Sequence, residues 1–142
     1  MKNFLIICTV AFGFMACEKD AGEGGTSVIE GQVYKIHTFQ NSLTGEMDTL
    51  YYQLDSGKDV FIIYSDNETE VYDDKFETDY NGRYHFEYLR KGDYTLYTYA
   101  DSTVDISSTI ELKYEYPIFK HIKINSNNSD NSVEDFVIEK NQ

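Results

Sequence analysis

Apolar and polar residues alternate with a period of two through most of the chain, from about Ser27 to Lys140. Tyr, Phe, Val, Ile and Thr dominate these segments, and no segment keeps a helical repeat of apolar residues over several turns. This pattern is typical of half-buried strands separated by short turns. It predicts an all-β domain, a single antiparallel β-sandwich of about seven or eight strands with Greek-key connections.

Individual segments differ in how deeply they are expected to be buried. The first strand is SVIEGQVYKI, and a polar insertion over residues 37–57, with a short strand LYYQL, separates it from DVFIIYS. The stretch from Val60 to Tyr64 is apolar without alternation, which predicts a central strand buried on both faces. The acidic segment over residues 65–79 is expected to be an exposed edge strand with loops.

The strongest pattern is TDYNGRYHFEYLRKGDYTLY, residues 78–97. Asp79 and Gly82 are turn formers before the first aromatic run, and Gly92 stands in the turn before the second, with Gly82 suited to a positive φ. Alternation then places one set of side chains on the core face: Tyr84, Phe86, Tyr88, Tyr94 and Leu96. We expect the two runs to pair as an antiparallel hairpin.

These residues resemble the carboxypeptidase regulatory-like domain, a member of the transthyretin-like or prealbumin-like β-sandwiches. That family has a G-x-V opening strand, a hydrophobic second strand, and then T-D-x-x-G-x-Y/F-x-F-x-x-L-x-x-G-x-Y-x-L. The matching residues of the long motif are Thr78, Asp79, Gly82, Tyr84, Phe86, Leu89, Gly92, Tyr94 and Leu96. The resemblance implies the fold, because the motif consists of turn and core residues, and it implies no particular activity.

The N-terminal residues have the pattern of an export signal. Lys2 precedes an apolar stretch from Phe4 to Ala16, which is too short for a transmembrane helix, and Cys17 follows. The sequence FMAC resembles the lipobox of bacterial lipoproteins. Residues 1–16 are therefore predicted to be a signal peptide, and Cys17 the lipidation site; the alternative is an ordinary secreted protein with a free Cys17.

Residues 17–27 are acidic and then Gly-rich, like the tether of Gram-negative surface lipoproteins. This resemblance predicts an outer-membrane, surface-exposed protein that a lipid on Cys17 anchors to the membrane. The β-sandwich is then expected over residues 28–140. Because the tether is expected to be solvated, a substitution at Gly25 is predicted to have almost no effect on stability.

Composition excludes some partners and some sources of stability. The chain has 25 acidic and 12 basic residues, and a net charge of −13, which opposes binding to nucleic acid. Cys8 is predicted to leave with the signal peptide, so the mature domain is expected to have no disulfide.

Catalytic and metal-binding patterns are weak. His37, His85 and His121 lack metal-ligand spacing, and no nucleophile or phosphate-loop motif appears, so neither an enzyme nor a cofactor is predicted. An acidic loop offers weak calcium ligands, but its spacing fits no EF-hand, and we interpret it as a solvated edge: Asp66, Glu68, Asp73 and Asp74. Lys35 and Asn131 are a remote candidate pair for the isopeptide crosslink of related surface domains.

Aromatic residues provide the candidate binding surface. The chain has 13 Tyr and 9 Phe but no Trp, and the period-two rule points Tyr97 and Tyr99 outward. Either the insertion with Tyr51 and Tyr52 covers them, or a protein or glycan partner does. We expect the insertion to fold over them, because it is long and partly apolar. The predicted function is a surface lipoprotein with a non-catalytic binding or scaffolding module. The alternative is a glycan- or calcium-binding accessory lipoprotein of a nutrient-uptake system.

Overall fold

The computed structural model describes residues 20–107 and 110–141, and this part of the chain is all-β. It contains nine strands: β1 (Glu23–Gln40), β2 (Met47–Leu54), β3 (Asp59–Ile63), β4 (Asp74–Glu77), β5 (Arg83–Leu89), β6 (Gly92–Ser107), β7 (Ile110–Ile124), β8 (Asp130–Ser132) and β9 (Phe136–Asn141). Within these residues no helix is long and apolar enough to cross a membrane. The predicted all-β class is confirmed.

Two sheets make up the domain. In the five-stranded sheet, the long β1 pairs antiparallel with β2 and β5 and parallel with β8 and β9. The second sheet has four antiparallel strands in the order β4-β3-β6-β7. The last predicted strand is divided into β8 and β9, because the chain leaves β1 after Ser132 and returns to it at Phe136.

One hydrophobic core lies between the sheets. Both sheets supply its fully buried side chains, among them Ile29, Val33, Val60, Ile62, Tyr84, Leu89, Tyr94, Leu96, Ile124 and Phe136. The arrangement is a sandwich, in which burial of these side chains is the main stabilising contribution.

The predicted β5–β6 hairpin is wrong. β5 pairs with β1, whereas β6 pairs with β3 and β7, so residues 90–91 carry the chain from one sheet to the other. Tyr84, Phe86, Tyr94 and Leu96 are all buried, as alternation predicted. They share the core because their strands lie in opposite sheets, not because the strands are hydrogen-bonded neighbours.

Tyr88 also departs from the predicted alternation. Its φ is 59°, its side chain is 69% exposed, and the next residue, Leu89, is buried in its place. The pairing of β1 with β5 is irregular here, because Ser27 and Leu89 are partners whereas Ile29 already faces Phe86. One residue in the left-handed conformation thus shifts the alternation and brings Leu89 into the core.

The TDxxG segment forms the turn that links β4 to β5. Asp79 Oδ1 accepts the backbone N–H groups of Asn81 and Arg83, at 2.8 and 2.9 Å. Gly82 has a φ of 67°, and a Cβ at this position would lie 2.7 Å from the carbonyl oxygen of Val33. The turn therefore needs glycine for two reasons, the left-handed backbone and the close approach of β1.

Thr78 connects this turn to the segment after β2. Its hydroxyl group donates to the carbonyl oxygen of Asp55 at 2.6 Å and accepts the backbone N–H of Lys58 at 2.9 Å. The chain passes from the four-stranded sheet to the five-stranded sheet between β4 and β5. Thr78 forms hydrogen bonds with backbone groups of the segment after β2, and Asp79 with those of the turn and the start of β5.

The insertion over residues 37–57 extends the five-stranded sheet. It forms the end of β1, a turn over residues 41–46 and then β2, whose eight side chains are all exposed. We expected it to fold over Tyr97 and Tyr99. It lies instead along the edge of the other sheet, because β2 is hydrogen-bonded to β1.

Residues 1–19, including the predicted signal peptide and Cys17, lie outside the described residues. The rest of the predicted tether belongs to the domain, since β1 begins at Glu23 and Ser27 is fully buried. Arg90 donates to the backbone carbonyl groups of Asp20 and Glu23. Gly92 has a φ of 150° and packs against Ala21. A Cβ added at residue 92 would lie only 2.6 Å from the Cβ of Ala21, so glycine leaves the room that Ala21 needs.

Candidate functional site

A cluster of five aromatic residues lies on the outer side of the four-stranded sheet, and we call it the outer aromatic face: Phe61, Tyr72, Tyr97, Tyr99 and Phe119. Phe61 of β3 is the register partner of Tyr97 of β6, which is in turn the partner of Phe119 of β7. Three neighbouring strands thus place three aromatic side chains in one row across the sheet.

The rings of this row are in direct contact. The centroids of Phe61 and Tyr97 are 4.9 Å apart with nearly parallel planes, and those of Tyr97 and Phe119 are 5.3 Å apart. Tyr99 stands edge-on to Tyr97 at 5.7 Å. Distances and angles of this kind are typical of favourable aromatic pairs.

Tyr72 covers the row from the connection between β3 and β4. Its ring lies 4.8 Å from that of Phe61, and 44% of its side chain is exposed. Tyr97 below is only 8% exposed, and this burial raises the pKa of its hydroxyl group above the ordinary value. The outer aromatic face therefore has a buried base, Tyr97, with half-buried rings around it and one exposed ring, Tyr72.

The structure does not bring together the four tyrosines proposed as a binding surface. Tyr97 and Tyr99 point outward on β6, whereas Tyr51 and Tyr52 lie on β2 of the other sheet. Tyr51 stacks on His37 at 4.2 Å, and Tyr52 is 66% exposed. The sequence pattern did not single out Phe61, because the stretch from Val60 to Tyr64 is apolar without alternation and was expected to be buried on both faces. It gave no signal for Tyr72 or Phe119 either, which join the cluster through loop position and strand register.

The acidic residues considered as calcium ligands make separate contacts. Asp73 Oδ2 accepts the backbone N–H of Tyr64 at 2.7 Å, and Asp74 Oδ1 accepts that of Lys75 at 2.7 Å. Glu68 Oε1 lies 2.9 Å from Nε2 of His121. Among the residues that the structure describes, no three His, Cys, Asp or Glu side chains form a group suited to a metal ion.

Lys35 and Asn131 are not neighbours. Asn131 of β8 is the register partner of Ile29, and its side-chain amide donates to the carbonyl oxygen of Val28 at 3.0 Å. Lys35 lies six residues further along β1, about 20 Å away in an extended strand. It forms an ion pair with Asp55 at 2.6 Å.

One tyrosine hydroxyl is buried without a partner. Tyr84 is 1% exposed, and its ring crosses the backbone of Gly31, where a Cβ would lie 2.4 Å from the hydroxyl oxygen. Within the described part of the chain this hydroxyl group has no hydrogen-bond partner. Its burial, together with the charge of Asp135, raises its pKa well above the ordinary value.

Comparison with known proteins finds few similarities. No protein-family model matches the sequence, and no curated protein matches it. Among solved structures, a Pseudomonas aeruginosa protein described as a "putative carbohydrate binding protein" is similar, with a TM-score of 0.49 and 16% sequence identity; the alignment covers 84% of this chain and 92% of that chain.

Proposed function

We propose that this protein is a lipid-anchored outer-membrane lipoprotein, exposed at the cell surface, whose sandwich is a non-catalytic binding module. The lipobox-like FMAC sequence and the apolar stretch before it support the anchor. Cys17 stands only six residues before the first residue of β1, so an extended connection would span about 20 Å. The sandwich would therefore be held close to the membrane that carries it.

The N-terminal part of the proposal is tested in the cell that produces the protein. Wild-type protein is expected to begin at Cys17 and to carry the mass of added lipid, and Cys17→Ser is expected to remain uncleaved and to leave the detergent phase. Protease treatment of intact cells then distinguishes an outward-facing domain, which is digested, from a periplasmic one. A mature wild-type chain that begins at Cys17 without lipid would contradict the anchor.

We also propose that the sandwich is of the transthyretin-like, Greek-key type and related to the carboxypeptidase regulatory-like domains. The motif residues support this because they occupy the positions the family motif requires. Thr78, Asp79 and Gly82 form the turn, while Tyr84, Phe86, Leu89, Tyr94 and Leu96 are buried. An experimental structure that connects the strands in another order would contradict this assignment.

The observation that carries the binding proposal is the outer aromatic face. Five aromatic side chains share one side of a sheet, and the exposed ring of Tyr72 lies at its surface. Clustered aromatic residues on a sheet give a flat apolar surface whose hydroxyl groups offer hydrogen bonds at the edges. Such a surface supports recognition by contact and stacking.

The alternative function is that of an accessory lipoprotein in a nutrient-uptake system. For that function, a glycan is the ligand class that the outer aromatic face favours. Sugar rings present apolar C–H faces that stack on aromatic rings, and the rings of Tyr72 and Tyr99 both contact the Phe61 ring. Calcium is less favoured, because Asp73, Asp74 and Glu68 contact different groups.

A glycan array and a pull-down from cell-surface material test the binding surface with three variants. We expect Tyr72→Ala and Tyr99→Ala to lose binding, with only a small decrease in melting temperature for Tyr72→Ala because that residue is 44% exposed. The matched control is Tyr80→Ala, which removes a tyrosine that is 85% exposed in the β4–β5 turn. Equal binding by all three variants would contradict the assignment of this face.

A further inference from the structure

β2 is the outer strand of the five-stranded sheet and is open to solvent. Its partner is β1, and among the described residues no strand pairs with its other edge. All eight side chains of β2 are exposed, and five of them are large and apolar: Met47, Leu50, Tyr51, Tyr52 and Leu54. Unpaired N–H and C=O groups along such an edge are a template for another strand.

The two outer strands of the four-stranded sheet carry features that discourage pairing. β4 has only four residues, of which Asp74, Lys75 and Glu77 are charged. β7 includes Pro117 and a series of charges: Lys113, Glu115, Lys120 and Lys123. β2 has no proline and a single charged residue, Asp48. Its one protective feature besides Asp48 is the bulge at Leu50. Because most of the usual protection of an edge is absent, β2 is open to pairing with a partner strand.

We propose that β2 pairs antiparallel with β2 of a second copy of this chain, so that two five-stranded sheets join across a two-fold axis. The register that pairs all eight residues places Asp48 opposite Gln53 of the second copy. It also sets Met47 opposite Leu54, and Leu50 opposite Tyr51. No two like charges face each other, and apolar side chains meet apolar or aromatic ones.

The bulge in β2 is compatible with this register. The β1–β2 pairing shifts between His37 and Thr38, whose partners are Tyr51 and Thr49, so Leu50 is the extra residue of β2. In the proposed dimer the two Leu50 residues flank the two-fold axis symmetrically. The added twist of a bulge then affects both strands equally.

Charge restricts where two copies of this chain can meet. The net charge of −13 makes two copies repel each other over most of their surfaces. β2 carries one acidic group in eight residues, so pairing there brings few like charges together. Added salt is therefore expected to strengthen the dimer, since screening weakens the remaining repulsion.

Sedimentation equilibrium of the purified full chain tests the interface. We expect a reversible wild-type dimer at micromolar concentration and a monomer for Leu50→Lys/Tyr52→Lys. At dilutions where both proteins are monomeric, their melting temperatures should be equal because both side chains are mainly exposed. The control, Val71→Lys/Tyr80→Lys, adds the same two charges at exposed loop positions and is expected to stay dimeric. A monomeric wild type at low and high salt, or equal dissociation of both variants, would overturn the proposal.

Cysteine crosslinking tests the register. Asp48→Cys/Gln53→Cys is expected to give an intermolecular disulfide under mild oxidation, above the wild-type background from Cys8 and Cys17. Gln53→Cys alone places its two thiols five residues apart along the paired strands, about 17 Å, too far to join. Crosslinking of the single variant as efficiently as the double one would contradict this register and point to another pairing.

Discussion

Gly25 lies against the backbone carbonyl group of Leu89 so closely that a Cβ at residue 25 would stand 1.9 Å from the oxygen. The contact joins the start of β1 to the end of β5, beside the register pair Ser27 and Leu89. The prediction that a substitution at Gly25 has almost no effect therefore does not fit the structure.

We expect Gly25→Ala to lower the free energy of unfolding by about 2 kcal/mol or more, because backbone has to move to admit the methyl group. Urea denaturation measures this. Gly45→Ala is the control, since Gly45 has a φ of 75° but nothing within 4 Å of a Cβ, so only backbone strain of about 1 kcal/mol is expected. An equal loss of unfolding free energy in Gly25→Ala and Gly45→Ala would show that Gly25 does not pack tightly against the Leu89 carbonyl group.

Gly82 allows a test that separates backbone strain from close approach. Asn tolerates the left-handed region better than other residues, but its Cβ would still lie 2.7 Å from the carbonyl oxygen of Val33. We expect Gly82→Asn to lower stability by on the order of 1–3 kcal/mol and Gly45→Asn to be nearly neutral. Thermal unfolding of both variants decides; a stable Gly82→Asn would leave φ as the only constraint.

Tyr84 and Tyr94 form a matched pair for the role of buried hydroxyl groups. Both side chains are fully or almost fully buried, but Tyr94 donates to the carbonyl oxygen of Arg90 at 2.7 Å and accepts the N–H of Gly22 at 2.9 Å. We expect Tyr94→Phe to cost about 1–3 kcal/mol at neutral pH and Tyr84→Phe to be neutral or stabilising. A loss of stability in Tyr84→Phe similar to that of Tyr94→Phe would reveal a partner for the Tyr84 hydroxyl group.

The same residue predicts how stability depends on pH. The pKa of Tyr84 is raised in the folded chain, so the unfolded chain releases this proton first as pH increases. The contribution of Tyr84 to the free energy of unfolding is therefore fully present below about pH 10, the ordinary tyrosine pKa, and declines above it. Tyr84→Phe should make the decline shallower in urea titrations between pH 9 and pH 11 (roughly the range where unfolded tyrosine ionises). An unchanged slope would exclude Tyr84 as a contributor.

Tyr97 is expected to be structural although it points away from the core. It is 8% exposed and its ring contacts Phe61, Tyr99 and Phe119. We expect Tyr97→Ser to cost about 2–4 kcal/mol in thermal unfolding, as for other buried aromatic residues, and the exposed Tyr52→Ser to cost almost nothing. Similar melting temperatures for both variants would mean that the outer aromatic face adds nothing to stability.

The sequence by itself determined the features that depend on near neighbours. Alternation placed Tyr84, Phe86, Tyr94 and Leu96 in the core because side chains of a strand point to opposite faces in turn. The TDxxG turn was recognisable because Asp79 bonds to groups within four residues of itself. Cys17 and the apolar stretch before it are likewise a local pattern, and lipidation there stays a prediction.

Only the tertiary structure decided which strands are partners. Backbone hydrogen bonds can join almost any two strands, so the tight turn after Leu89 did not reveal that β5 pairs with β1 while β6 crosses to the other sheet. The same holds for the Gly-rich stretch from Glu23, which has no apolar pattern and in which Gly25 lets the backbones of β1 and β5 approach closely. The row of Phe61, Tyr97 and Phe119 arises from the pairing of β3 with the non-consecutive β6 and from the register of the long β6–β7 pair. A short stretch of sequence contains neither pairing, so local patterns could not predict the row.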